Sequence, residues 1–367
     1  MEVLNLTRYL HQFTMGMDKA GREYLSFVVK GSFDFPPVPG GVAEGSASQR
    51  PLVMADEFVG EPGFSATRWE TDFAFRKPHA EVLVQGAAYA PGGRPAERVR
   101  VGVLVGGWSK QFDVVGPREW RVVGPAISAT RPYPFQRLDF GYHTAFGGPD
   151  RSRPDSPAPA AYDLNPHGLG FAAVSGLSRL GGLALPLTED PADPVTSPYG
   201  RYRPMAFGPV HRGHPDRLRH GGTYDQAWLD TVFPFLPADF DDRYYQSAPP
   251  DQWLDRLAPG TPVVIANLTP SGREEFRLPD TALKIRIHRG REVCLDRTVL
   301  PDTLLLDPEA RQLMLVWRVE VPMRRIITEF TEAWIGPPTR GMLRARATGK
   351  RYLRLPADGG RAGAVPA

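Results

Sequence analysis

The sequence predicts a mainly β protein: two antiparallel β-sandwich or barrel-like units joined by a long Pro/Gly-rich ordered loop region with a few short helices. Short runs in which apolar and polar residues alternate recur along the chain between Gly and Pro turns, a pattern typical of antiparallel sheets. The 39 prolines and 38 glycines among 367 residues make long helices unfavourable. These two observations set the fold class.

The chain divides by composition into four parts. We predict an N-terminal β unit over residues 1–144, a connecting loop region over 145–222, a C-terminal β unit over 223–354 and a flexible tail over 355–367. A chain of 367 residues is long enough for two domains of ordinary size. The tail is rich in Gly and Ala, which predicts fraying.

The N-terminal unit contains six predicted strands. The first, over residues 24–35, is dense in β-branched and aromatic residues and ends at Pro36-Pro37. Turn residues bound the other five, and Gly106-Gly107 lies between two strands, which makes it a hairpin turn and not a phosphate loop. The other five strands cover residues 71–75, 80–88, 98–105, 110–115 and 120–122.

The 145–222 region is rich in proline, which fixes φ and removes amide donors, so we expect little regular structure there. A disordered linker is one interpretation. Large aromatic residues that a solvated linker would lack favour an ordered loop packed over the sheets, and long ordered loops are often functional. These residues are Phe146, Tyr162, Phe171, Tyr199, Tyr202 and Phe207.

The C-terminal unit begins with two predicted short helices, over residues 224–231 and 249–257. The two-residue period of a strand then returns, most clearly in Leu313, Leu315 and Trp317. The predicted strands cover residues 263–268, 274–278, 282–288, 292–295, 303–307 and 312–321.

Charge and cysteine content narrow the function classes. The net charge is only +3 and the charges are well mixed, so we do not expect nucleic-acid binding. No apolar run approaches the roughly 18 residues of a membrane span, so we expect no membrane partner. The single Cys294 permits no internal disulfide, and the Met1-Glu2-Val3 start lacks the features of a signal peptide. We therefore expect a cytoplasmic location.

No motif in the sequence predicts catalysis, a cofactor or a metal. His211, His214 and His220 could gather around a metal, but the Pro and Gly residues between them favour loop histidines. Asp239 with its neighbouring carboxylates resembles a capping turn more than an acid–base pair. Cys294 lies in a predicted strand as a small hydrophobe. Neither a G-x-S-x-G elbow nor a Walker loop is present. We predict no enzymatic activity.

Several motifs together resemble a bacterial family encoded beside type VI secretion spike and effector genes. They include TAFGGPD from Thr144, NPHGLGF from Asn165, PMAFGP from Pro204 and GTYDQAW from Gly222, and further matches extend over nearly the whole chain. The candidate partner-binding or family-motif residues are Phe146, Gly147, Gly148, Asp150, Asn165, Pro166, Gly168, Gly170, Phe171, Tyr199, Tyr202, Phe207, Gly208, Arg217, Thr223, Tyr224, Asp225, Trp228, Asp239 and Phe240.

The resemblance implies an adaptor or chaperone. Members of that family bind a cognate secreted effector and help load it on the VgrG spike, often through a PAAR-containing region, without a cofactor. The chain departs from the family pattern at Leu169, where a basic residue is usual, and near His214, where a tryptophan is usual. A structural or baseplate-associated component of the same machine and a carbohydrate-active β-rich enzyme are the alternatives.

The aromatic residues of these motifs suit protein binding. A proline-stiffened loop loses little conformational entropy on docking, and Tyr, Trp and Arg are common interface anchors. The alternative is that Phe146, Phe207, Tyr224 and Trp228 fill the core. We expect replacement of Tyr199 and Tyr202 with alanine to weaken partner binding and to leave the thermal midpoint nearly unchanged.

Overall fold

The structure is a computed structural model that describes residues 1–152, 156–173, 179–350 and 352. The predicted flexible tail at 355–367 lies outside the described residues. The strands are β1 (Glu2–Asn5), β2 (Leu10–Met17), β3 (Glu23–Asp34), β4 (Glu44–Gly45), β5 (Glu57–Phe58), β6 (Thr67–Trp69), β7 (Ala80–Val84), β8 (Ala87–Tyr89), β9 (Arg98–Val105), β10 (Trp108–Val115), β11 (Trp120–Val123), β12 (Ala126–Ala129), β13 (Arg137–Asp139), β14 (Phe146–Gly147), β15 (Leu169–Gly170), β16 (Thr188–Glu189), β17 (Trp253–Leu254), β18 (Pro262–Ala266), β19 (Arg273–Arg277), β20 (Leu283–Arg289), β21 (Glu292–Val299), β22 (Thr303–Asp307), β23 (Gln312–Pro322) and β24 (Phe330–Ile335). The helices are α1 (Pro215–Leu218), α2 (Gln226–Thr231) and α3 (Arg340–Ala347), and single 3₁₀ turns cover Pro91–Gly93, Asp242–Tyr245, Pro250–Gln252 and Ile327–Glu329.

The largest sheet has the strand order β17-β7-β22-β23-β3-β2, with β4 paired to β3. Its centre is the long antiparallel pair of β3 and β23, in register from Asp34 opposite Gln312 to Tyr24 opposite Pro322. Along β3, Phe27 and Val29 face the main core, and Val28 between them packs into a second buried cluster on the other face. Both faces of this sheet are therefore covered, which explains its dense run of β-branched and aromatic residues.

Two smaller sheets complete the core. One has the order β16-β10-β9-β18-β19 and the other the order β1-β24-β20-β21. Val101 of β9, Ile285 of β20 and Leu315 of β23 belong to one continuous buried cluster, so the three sheets share a core. The mainly β class with several sheets is confirmed.

The sheets combine strands from both sides of the 145–222 region. In the largest sheet, β2, β3, β4 and β7 precede this region, and β17, β22 and β23 follow it. In the second sheet, β9 pairs with β10. Strand β10 also pairs with β16, which lies inside the region, and β9 also pairs with β18, which follows the region. The predicted boundaries at residues 144 and 222 therefore do not coincide with the edges of the sheets, and as boundaries between folding units they stay a prediction.

Most predicted strands appear with small shifts at their ends, and two predicted elements were wrong. Residues 71–75 form no strand, because the Asp72 carboxylate accepts hydrogen bonds from Lys30 Nζ and the Val53 amide and holds a loop. The predicted helix over 249–257 is one 3₁₀ turn followed by β17. The other predicted short helix, over residues 224–231, is present as α2.

The described part of the 145–222 region is an ordered loop with its own small core. Trp120 from β11 packs there with large residues of the loop, and β14 pairs with β15 inside the region. The buried members of this cluster are Trp120, Phe146, Tyr162, Leu185, Val195 and Tyr202.

The longest of the three described helices has eight residues, and none of them is long and apolar enough to cross a membrane.

Candidate functional site

Most aromatic motif residues of the loop region face its interior. Phe146 is 1% exposed and contacts Tyr202 edge-on, with 4.9 Å between the ring centroids. Tyr202 is 9% exposed, and its hydroxyl accepts hydrogen bonds from the amides of Thr196 and Ser197 at 3.1 Å. Phe171 is half-buried against the same cluster. These side chains support the loop from within.

The motif glycines permit close contact between two segments of the same loop. Gly148 has φ +86°, and a Cβ there would lie 2.1 Å from the carbonyl oxygen of Gly168. Gly147 and Gly170 also have positive φ and would meet their neighbours at 2.2 and 2.7 Å. The Asn165 side chain fastens this contact by donating to the carbonyl oxygen of Tyr142 at 2.7 Å. The residues therefore define a backbone arrangement that only glycine allows.

Polar motif residues complete the turns of the loop. The Asp150 carboxylate accepts hydrogen bonds from the Ser152 amide at 3.0 Å and from the Ala173 amide at 3.1 Å. Pro166 follows Asn165 in the chain and is half-buried. These contacts hold the loop in shape and leave little of either side chain for a partner.

Phe207, Gly208 and Phe240 are also interior. Phe207 belongs to the main core and lies 4.7 Å from the ring of Phe112. Gly208 is buried beside Gln85, and Phe240 is 5% exposed. The alternative that Phe207 fills the core fits its position.

Arg217 forms a buried ion pair. It is 2% exposed, and its guanidinium binds both carboxylate oxygens of Glu70, at 2.6 and 2.9 Å. Its Nη1 and Nε also donate to the carbonyl oxygens of Val210 and Tyr244. The arginine therefore joins α1 to the segment after β6 and to the 3₁₀ turn at Asp242–Tyr245.

The exposed motif residues gather around α2. Tyr224 is 55% exposed and contacts the half-buried Trp228 edge-on at 4.8 Å, and Trp228 contacts Phe233 at 5.6 Å. Phe233 is 62% exposed. We call Tyr224, Trp228, Leu229, Phe233 and Phe235 the aromatic patch.

Hydrogen bonds fix the aromatic patch in place. The Asp225 carboxylate caps α2 by accepting from the Trp228 amide at 2.8 Å, and Trp228 Nε1 donates to the carbonyl oxygen of Phe235 at 2.9 Å. The Asp239 carboxylate closes the segment by accepting from the amide and the hydroxyl of Thr223, which lowers the pKa of Asp239. The exposed rings thus flank a short, capped helix and are tied to it by these hydrogen bonds.

The patch has an acidic border. Residues 223–240 contain three aspartates and no Lys, Arg or His. Asp225, Asp230 and Asp239 are all exposed, and Lys19 donates to the carbonyl oxygen of Ala238 at 3.4 Å. A partner segment that has an apolar centre and basic residues on either side complements this surface in hydrophobic character and in charge.

The sequence interpretation missed three members of the patch. Leu229 is 51% exposed and Phe235 is 43% exposed, yet neither they nor Phe233 were among the candidate residues. The available signal was an unbroken apolar cluster at 232–236 next to the α2 helix, without the alternation of a strand. Tyr199, another candidate, is 37% exposed but belongs to the 145–222 region.

The candidate titratable residues form no metal site. His211 lies 5.8 Å from both His167 and His214, measured between ring centroids, but within the described ranges no three His, Cys, Asp or Glu side chains are arranged to hold a metal ion. Burial lowers the pKa of His211 to about 4, so the ring is neutral at pH 7. Cys294 is half-buried, and burial raises the pKa of its thiol.

The fold and the patch together define a mainly β protein with an exposed, acid-bordered aromatic surface. Residues 20–318 match the model of a family described as an uncharacterized protein conserved in bacteria, DUF2169. The chain belongs to this family. Searches of curated proteins and of solved structures returned no match.

Proposed function

We propose that this protein is a type VI secretion adaptor that binds a cognate effector through the aromatic patch and helps load it on the VgrG spike and its PAAR-containing region. The observation that carries the proposal is the aromatic patch itself: four large apolar side chains, each 43% exposed or more, on and beside a capped helix. Exposed apolar patches with polar borders are common protein-binding sites.

The arrangement suits binding without catalysis. The side chains of a rigid patch lose little conformational entropy when a partner docks. More of the free energy gained from burying apolar surface therefore contributes to affinity. Tyr, Trp and Phe supply large contact areas. The resemblance of the loop motifs to type VI secretion adaptors names the partner class, and a cytoplasmic site of action follows from that role.

The motif residues divide between two tasks in this proposal. The buried motif residues shape the loop region and hold α1, whereas Tyr224, Asp225 and Trp228 present the binding surface. The adaptor role therefore depends on the patch directly and on the loop through the stability of the fold.

The test is recovery of partners on the tagged, full-length protein from its own bacterium. We expect the effector encoded by the neighbouring gene and VgrG to be recovered together, and we expect both to be lost from Phe233→Ala/Leu229→Ala. Phe64→Ala is the matched control, because Phe64 is 79% exposed and lies outside the patch.

Two results would contradict the proposal. Equal recovery of the effector on the double variant and on Phe64→Ala would exclude the patch as the binding surface. If a strain that lacks this protein fails to assemble the secretion sheath, whichever effector is present, the protein would instead be a structural component of the secretion machine.

A further inference from the structure

Strand β2 forms one edge of the largest sheet. It is the last strand in the order β17-β7-β22-β23-β3-β2, and it pairs with β3 from Leu10 opposite Lys30 to Met17 opposite Glu23 without a bulge. At about 3.3 Å for each residue, the edge is about 26 Å long. Within the described part of the chain, no other strand pairs with β2. The edge is therefore long enough for a segment of a second chain to pair with it.

Alternate backbone groups of β2 point away from β3. The Asp18 amide donates to the carbonyl oxygen of Arg22 at 3.0 Å, which places the hydrogen-bonded pairs of this hairpin at the even-numbered residues of β2. The Phe13 amide instead donates to the side-chain oxygen of Gln12 at 3.1 Å, as expected for a residue between those pairs. Amides and carbonyl oxygens at odd-numbered positions therefore face outward along the open edge. These positions are His11, Phe13, Met15 and Met17.

The edge lacks the features that protect sheet edges from pairing. Natural edge strands are usually short or bulged, or carry charged residues or proline. Strand β2 contains no Asp, Glu, Lys, Arg or Pro, whereas the equally long edge strand β21 contains Glu292, Asp296 and Arg297. Four of the five residues of β19 are charged, and the edge strands β1, β4, β16 and β17 have four residues or fewer. Among the described edges of the three large sheets, only β2 is both long and uncharged.

Apolar side chains border the open edge. Leu10 and Met17 are each 36% exposed, and Met15 is 57% exposed although it lies opposite the fully buried Leu25 of β3. Methionine side chains are flexible and adapt to partners of different shape. A strand added to β2 would therefore bury apolar surface in addition to pairing the outward backbone groups.

The turn between β2 and β3 joins this edge to the aromatic patch. A Cβ on Gly21 would lie 3.0 Å from the ring of Phe235, and Lys19 Nζ donates to the carbonyl oxygen of Ala238 at 3.4 Å. Both contacts start in the turn that directly follows Met17. The open edge and the aromatic patch therefore adjoin, so a chain that is bound at the patch can continue along β2.

We propose that an extended segment of the effector pairs with β2 as an added strand, next to the aromatic patch. The inference rests on the proposed adaptor function and adds a second contact with the same partner. In this mode of recognition, backbone hydrogen bonds supply affinity and the alternating side chains of the added strand supply specificity. Because Met15 and Met17 lie on one face of the sheet, the effector segment should carry apolar residues at alternate positions.

The test is residue-resolved amide hydrogen exchange of the full-length protein, alone and with the purified effector. We expect the outward amides of His11, Met15 and Met17 to exchange at least about tenfold more slowly in the complex, because they gain hydrogen bonds. The amides of Gln12 and Thr14 already pair with β3 and should change less. Unchanged outward amides, or equal slowing of both sets, would overturn the proposal. Slowing that follows the concentration of the protein alone would identify a second copy as the occupant and would also overturn it.

Two variants at one position separate the backbone contact from the side chain. Met15→Ala removes the apolar side chain and keeps the amide, whereas Met15→Pro also removes the outward amide without breaking a hydrogen bond to β3. We expect calorimetry to show at least about fivefold weaker effector binding by Met15→Pro than by Met15→Ala, with similar thermal midpoints. Equal affinities would overturn the proposal. The exchange experiment needs no variant, so it decides the question if Met15→Pro does not fold.

The outcomes distinguish this inference from the proposed docking surface. Weaker binding by Phe233→Ala/Leu229→Ala, together with equal affinities of Met15→Pro and Met15→Ala, would refute the added strand and support the aromatic patch. Protection of the outward β2 amides, together with unchanged affinity of the double variant, would refute the patch and support the added strand. An effector that does not bind the protein would refute both.

Discussion

Replacement of Arg217 separates a structural role from a docking role for a family-motif residue. The Arg217→Met variant leaves Glu70, which is 8% exposed, without its bidentate partner. Breaking a buried ion pair by removing one partner costs about 3–5 kcal/mol. Arg212 still lies 3.2 Å from Glu70 and compensates part of the charge, so we expect about 3 kcal/mol less stability.

A second variant checks the origin of that loss. In Arg217→Met/Glu70→Met neither charge of the buried pair remains. The carbonyl oxygens of Val210 and Tyr244 lose donors, which costs about 1–2 kcal/mol, and Arg212 loses Glu70 but keeps its hydrogen bonds to Asp56. The double variant should therefore be more stable than the single one.

Urea unfolding, followed by tryptophan fluorescence, measures both differences. Arg219→Met is the control, because Arg219 is 56% exposed and should change stability by less than about 0.5 kcal/mol. A loss below about 1 kcal/mol in Arg217→Met, together with a large loss of effector binding, would refute the structural role.

Two further predictions concern stability. The burial of Tyr202 replaces the expectation from the sequence that its loss leaves the thermal midpoint unchanged: Tyr202→Ala should destabilise the fold by about 3 kcal/mol, because it empties a buried site. Tyr199 is partly exposed, so Tyr199→Ala should cost less than about 1 kcal/mol. Thermal unfolding of each single variant measures both losses, and equal midpoints would contradict this difference. Burial lowers the pKa of His288 to about 4, so the unfolded chain binds more protons below pH 6.5 and stability falls as the pH drops towards 4. Protonation of His288 in the unfolded chain should lower the free energy of unfolding by about 2 kcal/mol between pH 7 and pH 5. The His288→Phe variant should therefore lose about 2 kcal/mol less than the unaltered protein over this pH range. Equal losses in the two proteins would exclude His288 as the cause.

Local sequence patterns predicted many of the strands. Strand β9 runs from Arg98 to Val105 as expected, because its alternation ends at a glycine pair and Gly106 adopts φ +59° in the turn to β10. Strand β1 was missed, since its four residues carry little pattern and it pairs with β24, more than 300 residues away. The pairing of β3 with β23 joins residues 278 to 298 positions apart in the chain, from Asp34 with Gln312 to Tyr24 with Pro322. Local patterns therefore could not predict that the largest sheet combines strands from both ends of the chain.

The candidate site was only partly predictable for a different reason. The sequence alone does not distinguish a buried aromatic residue, such as Phe207, from an exposed one, such as Phe233. The motifs led to Tyr224 and Trp228, but the exposure that distinguishes them from Phe146 depends on packing.

The affinity of the purified protein for its purified effector tests the central claim most directly. Phe233 and Leu229 are half exposed, and burying the exposed part of both contributes about 2 kcal/mol, so Phe233→Ala/Leu229→Ala should weaken binding about thirtyfold by calorimetry. Phe64→Ala should bind as the unaltered protein does. Equal affinity of all three proteins would show that the aromatic patch does not hold the effector.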